Sequence, residues 1–194
     1  GTIVGALSGY LRGFIETVLM RITDLFIVIP LLLLAAVVGQ LANERLGGGI
    51  LVLALLLGVL SWTGLARLVR GEVLSLRERE FVYSAQALGA STPRIIIKHI
   101  LPNCLGTIIV SATLAIASAI LLETSLSFLG FGVKAPDTSL GLLISQYQQK
   151  FSSQPWLFYW PAAFILAIAL SVNFIGDGLR DAFDPRQKAK GKVK

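Results

Sequence analysis

The chain has 194 residues, 55% of them hydrophobic and only 14% charged, with a single cysteine. Its mean hydropathy of +0.76 is far above that of a soluble domain of this length. One cysteine excludes an internal disulfide and a multi-cysteine metal site, and a net charge of +6 on so apolar a chain points to membrane topology rather than to nucleic-acid binding.

In chain order, the opening "GTIVGALSGYLRG" lacks a Met and offers roughly half a span of apolar residues before Arg12. Without the basic flank and cleavage site of a signal peptide, 1–11 reads as the end of a truncated helix. Gly5 and Gly9 form a small-xxx-small pattern that lets helices approach closely. A helix needs about 20 apolar residues to cross the hydrocarbon layer, and the uncharged runs predict full spans over 25–43, 46–66, 103–130 and 156–176. Pro30 is predicted to bend the first of them, with neighbours satisfying the freed carbonyl. Cys104 lies in an apolar run as a packing residue. Glu123, two residues before Ser125, is the carboxylate placed within a span; it either lines a translocation pathway with Ser125 near the outer end or supports helix packing. The segment 131–155 is too polar to span, and Leu140, Leu142, Leu143 and Tyr147 give it a partly apolar helical face. "PWLFYWP" at 155–161 seats aromatic rings at headgroup level, "DGLRDAFDPR" from Asp177 combines opposite charges, and "RQKAKGKVK" at 186–194 is a basic tail. The fold class is therefore all-α, a polytopic transmembrane helical bundle.

Lys and Arg collect in cytoplasmic loops. If the first loop is cytoplasmic, Arg12, Arg21, Arg67, Arg70, Arg77, Arg79, Arg94, Lys98, Arg180, Arg186, Lys188, Lys190, Lys192 and Lys194 face inward, 14 of the 17 basic residues. Arg45, Lys134 and Lys150 remain outside. This makes 68–102 a cytoplasmic loop, 131–155 an extracytoplasmic segment and 177–194 a cytoplasmic tail.

Within the loop, Leu74, Phe81, Ala85 and Leu88 fall on one face of a helix running from Val73, with Arg77 to Glu80 as a charged turn of it. Gly89 follows the last apolar residue, where a left-handed residue ends many helices. Ser91 or Thr92 caps a second, short helix with Pro93 in its first turn, and Pro102 breaks it. An amphipathic hairpin resting on anionic lipid fits the same pattern.

At "YSAQALGASTPRIIIKHILP" the sequence resembles the inner-membrane permease subunits of ATP-binding-cassette importers, specifically the dipeptide/oligopeptide/nickel group. That family's signature is Glu-Ala-Ala, three residues, Gly, nine residues, Ile, any residue, Leu-Pro. Tyr83, Ser84 and Ala85 occupy the triplet, Gly89 the glycine and Leu101-Pro102 the end, with the spacing kept throughout. Tyr83 replaces the signature glutamate and His99 the isoleucine. "GYLRGFIETVLMRITDLFIVIP", "ARLVRGEVLSLRE", "ETSLSFLGFGVKAPD" and "NFIGDGLRDAFDPR" extend the resemblance along the chain. It implies the type I importer permease fold and a coupling helix that sits in a groove of the ATPase subunit, with Tyr83, Ser84, Ala85, Ala87, Leu88, Gly89, Ala90, Ser91, Leu101 and Pro102 as coupling residues. The implied partners are a homologous second permease, two cytoplasmic ATP-binding-cassette subunits, an extracytoplasmic substrate-binding protein and membrane lipid, in the cell membrane of a prokaryote. No cofactor is implied. The chain carries no glycine-lysine motif to cradle phosphate, and His99 has no nucleophile motif or metal partner, so the reading is a non-catalytic subunit; the resemblance implies peptide-like solutes. The alternative is a secondary transporter or channel subunit driven by ion gradients.

Overall fold

In the computed structural model, residues 1–46 and 49–183 are described. Among them the secondary structure is helical, with no strand. In chain order the helices are α1 (Thr2–Tyr10), α2 (Phe14–Val28), α3 (Leu31–Leu46), α4 (Ile50–Leu60), α5 (Trp62–Leu76), α6 (Glu80–Ala87), α7 (Thr92–Ile95), α8 (Leu101–Phe128), α9 (Leu140–Tyr147) and α10 (Trp156–Phe183), with a π-helical turn over Ile96–Ile100 between α7 and α8. Three helical stretches are long and apolar enough to cross a membrane, Ile50–Leu76, Thr92–Phe128 and Trp156–Phe183, and α2 with Leu31–Ala42 makes a fourth if that broken pair is one span. The chain divides into two compact units.

The first unit comprises Gly1–Val28, Trp62–Ala112 and the chain from Gly176. Its organising contact is α1 on α5. Gly1, Gly5 and Gly9 recur at four-residue spacing, so they form one stripe of the helix. A Cβ on Gly1 would stand 2.7 Å from the Trp62 carbonyl oxygen, one on Gly5 2.5 Å from that of Ala66, and one on Gly9 2.8 Å from Val73 Cβ. The two backbones therefore meet where only glycine fits, as the small-xxx-small pattern predicts. Because the partners advance in the same direction, α1 and α5 run parallel and reach the same end. α2 crosses back along α5, with Phe26 edge-on to Trp62 at 5.8 Å, Arg67 paired to Asp24 at 2.6 Å and Arg70 to Glu16 at 2.5 Å. Continuous with this contact is an apolar cluster of Ala6, Val69, Val73, Val82, Ala85, Ile95, Ile96, Ile100 and Cys104.

The second unit comprises Ile29–Ser61 and Thr113–Ile175. Ala35 and Ala36 of α3 pack on Leu53 and Leu57 of α4, joined by Leu126 and Val133. α8 ends at a left-handed Gly130, φ +84°, where Gly130 N–H donates to Ser127 O and Phe131 N–H to Leu126 O, at 3.1 and 2.8 Å. This doubled closure satisfies carbonyls that a helix end leaves open. The chain then folds back until Gly141 of α9 lies against α8, where a Cβ would be 2.7 Å from Thr124 Cα. Asp137 accepts the Ile50 N–H at 2.8 Å, placing a carboxylate at the positive end of α4.

Several predicted boundaries are corrected. The single helix over 25–43 is two: α2 ends at Val28 and α3 starts at Leu31, because Pro30 offers no N–H and crowds the preceding turn. The 46–66 helix continues through a turn at Ser61 to Leu76, and the 156–176 helix continues to Phe183, taking in the start of the predicted tail. The amphipathic helix from Val73 to Leu88 is interrupted at 77–79, so Leu74 sits on α5 and does not share a face with Phe81. Pro102 does not break the second loop helix; helical backbone runs unbroken from Thr92 to Phe128. On α9, Leu140, Leu142, Leu143 and Tyr147 are half-buried, and Gly141 and Ile144 are fully buried. Residues 184–194, with Arg186 and the four tail lysines, lie outside the described residues.

Candidate functional site

The signature segment forms α6, a turn, α7 and the π-helical turn. α6 has eight residues, too few to be stable alone, and its placement depends on what it touches. Val82 and Ala85, one turn apart, are buried in the apolar cluster. The remaining surface is open: Ser84, Ala87 and Gly89 are exposed, and so are the large apolar side chains Phe81 (39%), Tyr83 (51%) and Leu88 (88%).

The turn after α6 explains two of the small residues in the signature. Gly89 has φ +78°, its N–H donates to Gln86 O at 2.9 Å, and Ala90 N–H donates to Ala85 O at 3.0 Å. These are the two bonds of a Schellman closure, and Ala90 packs beside the cluster that buries Ala85. A Cβ on Gly89 would meet nothing within 4 Å, so backbone conformation rather than space demands glycine here. Ser91 takes the N-cap position of α7 with Pro93 in its first turn, although the Ser91 hydroxyl makes no capping bond.

At 96–100 the helix widens, with Leu101 N–H reaching Ile96 O in the five-residue π pattern. Proline in a regular helix loses a bond and collides with the carbonyl four residues back; the wider turn just before Pro102 accommodates it, and the helix continues. The same turn brings Ile95 and Ile100, five apart, into one core, leaving His99 half-buried beside them. Asn103 Nδ2 donates to the His99 carbonyl at 2.6 Å. Leu101 is half-buried against the cluster and Pro102 is exposed.

Glu78, in the turn before α6, is a hub that sequence reading missed. Its Oε1 accepts from Arg12 at 2.6 Å and Arg77 Nε at 3.3 Å, and its Oε2 accepts from the Tyr83 hydroxyl at 2.6 Å. Arg77 also donates to the Gly9 carbonyl at 2.9 Å, satisfying one of the open carbonyls at the end of α1. Gln86 donates to the Tyr10 hydroxyl at 3.0 Å. The Tyr83 hydrogen bond first, then the Arg12 and Arg77 charges, hold the Glu78 carboxyl below its ordinary range, and the same bond raises the Tyr83 phenol. The available signal was the run Arg77-Glu78-Arg79-Glu80, but nothing local identifies Arg12, 66 positions earlier, as a partner.

Glu123 lies elsewhere, in the second unit. Its Oε1 accepts from the Ser127 and Ser139 hydroxyls at 2.6 and 2.7 Å, and Ser139 Oγ in turn accepts the Leu142 N–H, capping α9. Ser125 donates to the Leu121 carbonyl of its own helix at 2.8 Å. Glu72, placed in the loop by sequence, belongs to α5 and accepts from Thr107 of α8 at 3.3 Å. Among the described residues, no three His, Cys, Asp or Glu side chains group to hold a metal.

Residues 1–189 match the family described as binding-protein-dependent transport system inner membrane component. The chain belongs to this family. Membership of this inner-membrane family, together with three or four helices long and apolar enough to cross, makes it a multi-pass membrane protein. Relatives bear the same name, oligopeptide transport system permease protein OppC. The one from Mycobacterium tuberculosis (strain ATCC 25618 / H37Rv) is 44% identical over 186 residues, covering 96% of this chain and 63% of the relative. That of Haemophilus influenzae is 40% identical over 188 residues, covering 97% and 59%. That of Escherichia coli (strain K12) is 42% identical over 176 residues, covering 91% and 57%. The chain thus spans about three fifths of the length of these curated relatives.

Proposed function

We propose that this chain is part of the membrane permease of an ATP-driven importer of peptide-like solutes, in which α6 receives the closure of a cytoplasmic ATPase and passes it to the membrane helices. The peptide class is supported by the names of the relatives. Two ATP-binding-cassette subunits hydrolyse the nucleotide, a homologous permease completes the pore and an extracytoplasmic protein delivers solute; this chain performs no catalysis of its own. In this reading 68–102 lies in the cytoplasm, 131–155 outside and 177–194 inside. The ion-gradient alternative draws no support from the family match.

The observation that carries the proposal is the two-sided character of α6: Val82 and Ala85 bind it to the body of the protein, while Phe81, Tyr83 and Leu88 stand in the open. A rigid short helix held from behind suits transmission, since ATPase closure must become movement of whole helices rather than local deformation. For Glu123, the two serine hydroxyls favour support of the α8–α9 packing over solute contact.

The test is co-purification of the full-length protein with its ATPase subunits. Leu88→Asp and Phe81→Asp put charge on the docking face without touching the core, and each is expected to abolish ATPase association and uptake. Wild-type association and uptake in both variants would refute docking at α6, and uptake by the unmodified complex without ATP would refute the whole reading.

A further inference from the structure

α6 is joined to the protein by two turns, 77–79 and 88–91, and buries only Val82 and Ala85. A push on Phe81 or Leu88 could therefore roll the helix in place, dissipating the motion. Besides the burial of Val82 and Ala85, what opposes rolling is one polar edge. Tyr83 and Gln86 are three residues apart and share that edge. Gln86 reaches Tyr10 directly, and Tyr83 reaches Arg12 through Glu78. Both routes end at the terminus of α1, where Arg77 also closes on the Gly9 carbonyl. Beyond it, α1 cannot slip on α5, because the Gly1, Gly5 and Gly9 contacts leave no room for a single Cβ.

We infer that Glu78 is the centre of a latch, made with Arg12, Arg77 and Tyr83, that locks α6 to the end of α1 so that force on α6 moves α1 and α5 as one body. This rests on the coupling reading of α6. It also gives Tyr83 a reason to stand where the signature has glutamate. A carboxylate at 83 would have no proton to donate to Glu78 and would add like charge to the same edge, whereas the phenol donates to it at 2.6 Å. Arg12, Glu78 and Tyr83 are thus positioning residues that act through α6.

The experiment uses the full-length protein in its assembled complex, with Arg12→Gln, Glu78→Arg, Arg12→Glu and the double exchange Arg12→Glu/Glu78→Arg. Arg12 lies outside α6, so a change in α6 on altering it reports the latch. Hydrogen exchange over 80–87 without nucleotide should accelerate about two- to fivefold in each single variant, the range to which exposed ion-pair energies correspond. The double exchange restores opposite charge between positions 12 and 78 but leaves no carboxylate to accept from Tyr83 and Arg77, so its exchange should be slower than in Glu78→Arg or Arg12→Glu alone while staying faster than wild type. In proteoliposomes, uptake of labelled trialanine per ATP hydrolysed should fall by a similar factor in Arg12→Gln and be higher in the double exchange than in Glu78→Arg alone, which a general loss of packing would not do. Additive single and double effects on exchange would overturn the latch, as would faster α6 exchange with unchanged uptake per ATP. If the wild-type complex shows no ATP-dependent uptake, the coupling reading fails and the exchange cycle alone decides whether Glu78 holds α6 to α1.

Discussion

Replacing Gly89 separates two explanations of why the signature needs glycine. At φ +78°, a Cβ would meet no atom within 4 Å, so the cost inside the chain is backbone strain alone. A non-glycine residue in the left-handed region loses roughly 1–2 kcal/mol, less for Asn, which enters it more readily, and more for a β-branched residue. That strain bears on the Gly89-to-Gln86 and Ala90-to-Ala85 bonds that close α6. Opening energies lower by one to two kcal/mol correspond to amide exchange faster by about five- to thirtyfold. Gly89→Asn, Gly89→Ala and Gly89→Val should therefore rank in that order of increasing exchange over 85–91, read by mass spectrometry, with ATPase association falling in the same order. Had glycine been required only so that a partner backbone could approach, the ranking would follow side-chain size, with Ala milder than Asn. Ala milder than Asn in both readouts, or unchanged exchange in Gly89→Val, would refute the strain argument.

Gly5→Ala would place a methyl against the Ala66 carbonyl oxygen, at 2.5 Å, and should destabilise the α1–α5 pair by about 1–3 kcal/mol, read as a lowered detergent-unfolding midpoint. Glu123→Gln keeps an acceptor for the Ser127 and Ser139 hydroxyls and should retain near-wild-type stability. Glu123→Leu strands the buried Ser127 hydroxyl and should cost about 1–3 kcal/mol in the same assay. The latch should be insensitive to pH across the neutral range. Glu78 is lowered, so its contribution is present above the ordinary carboxylate value of 4.5 and is lost only as pH falls through its depressed value. Tyr83 is raised, so its contribution is lost only as pH rises past its usual 10.0, and intrinsic α6 exchange, corrected for pH, should be flat between these limits.

The long apolar runs were legible because the lipid requirement acts on each helix separately. Gly89 and Pro93 were legible for a related reason: left-handed φ and the missing N–H are properties of single residues. The break at 77–79 was not. Arg-Glu-Arg-Glu favours helix locally, and what accompanies the turn is non-local: the Gly9 carbonyl held by Arg77, and Arg12 held by Glu78. Pro102 was misread because its rule assumes a regular helix, whereas five residues of wider turn precede it. Which side of α6 faces the core was not legible either. Leu74 stays on α5, and of the other three residues of the stripe only Ala85 is buried, with Val82 beside it, while Phe81 and Leu88 are exposed.

Those exposed side chains admit either an ATPase groove or a lipid surface, and photo-crosslinking from position 88 decides between them. With a photoreactive amino acid replacing Leu88 in the full-length protein, co-expressed with the ATPase subunits in a cell membrane, the account predicts a single crosslinked product with an ATPase subunit, and none from position 85, which faces the core. Crosslinks from 88 confined to lipid, with the ATPase subunits present and active, would contradict it.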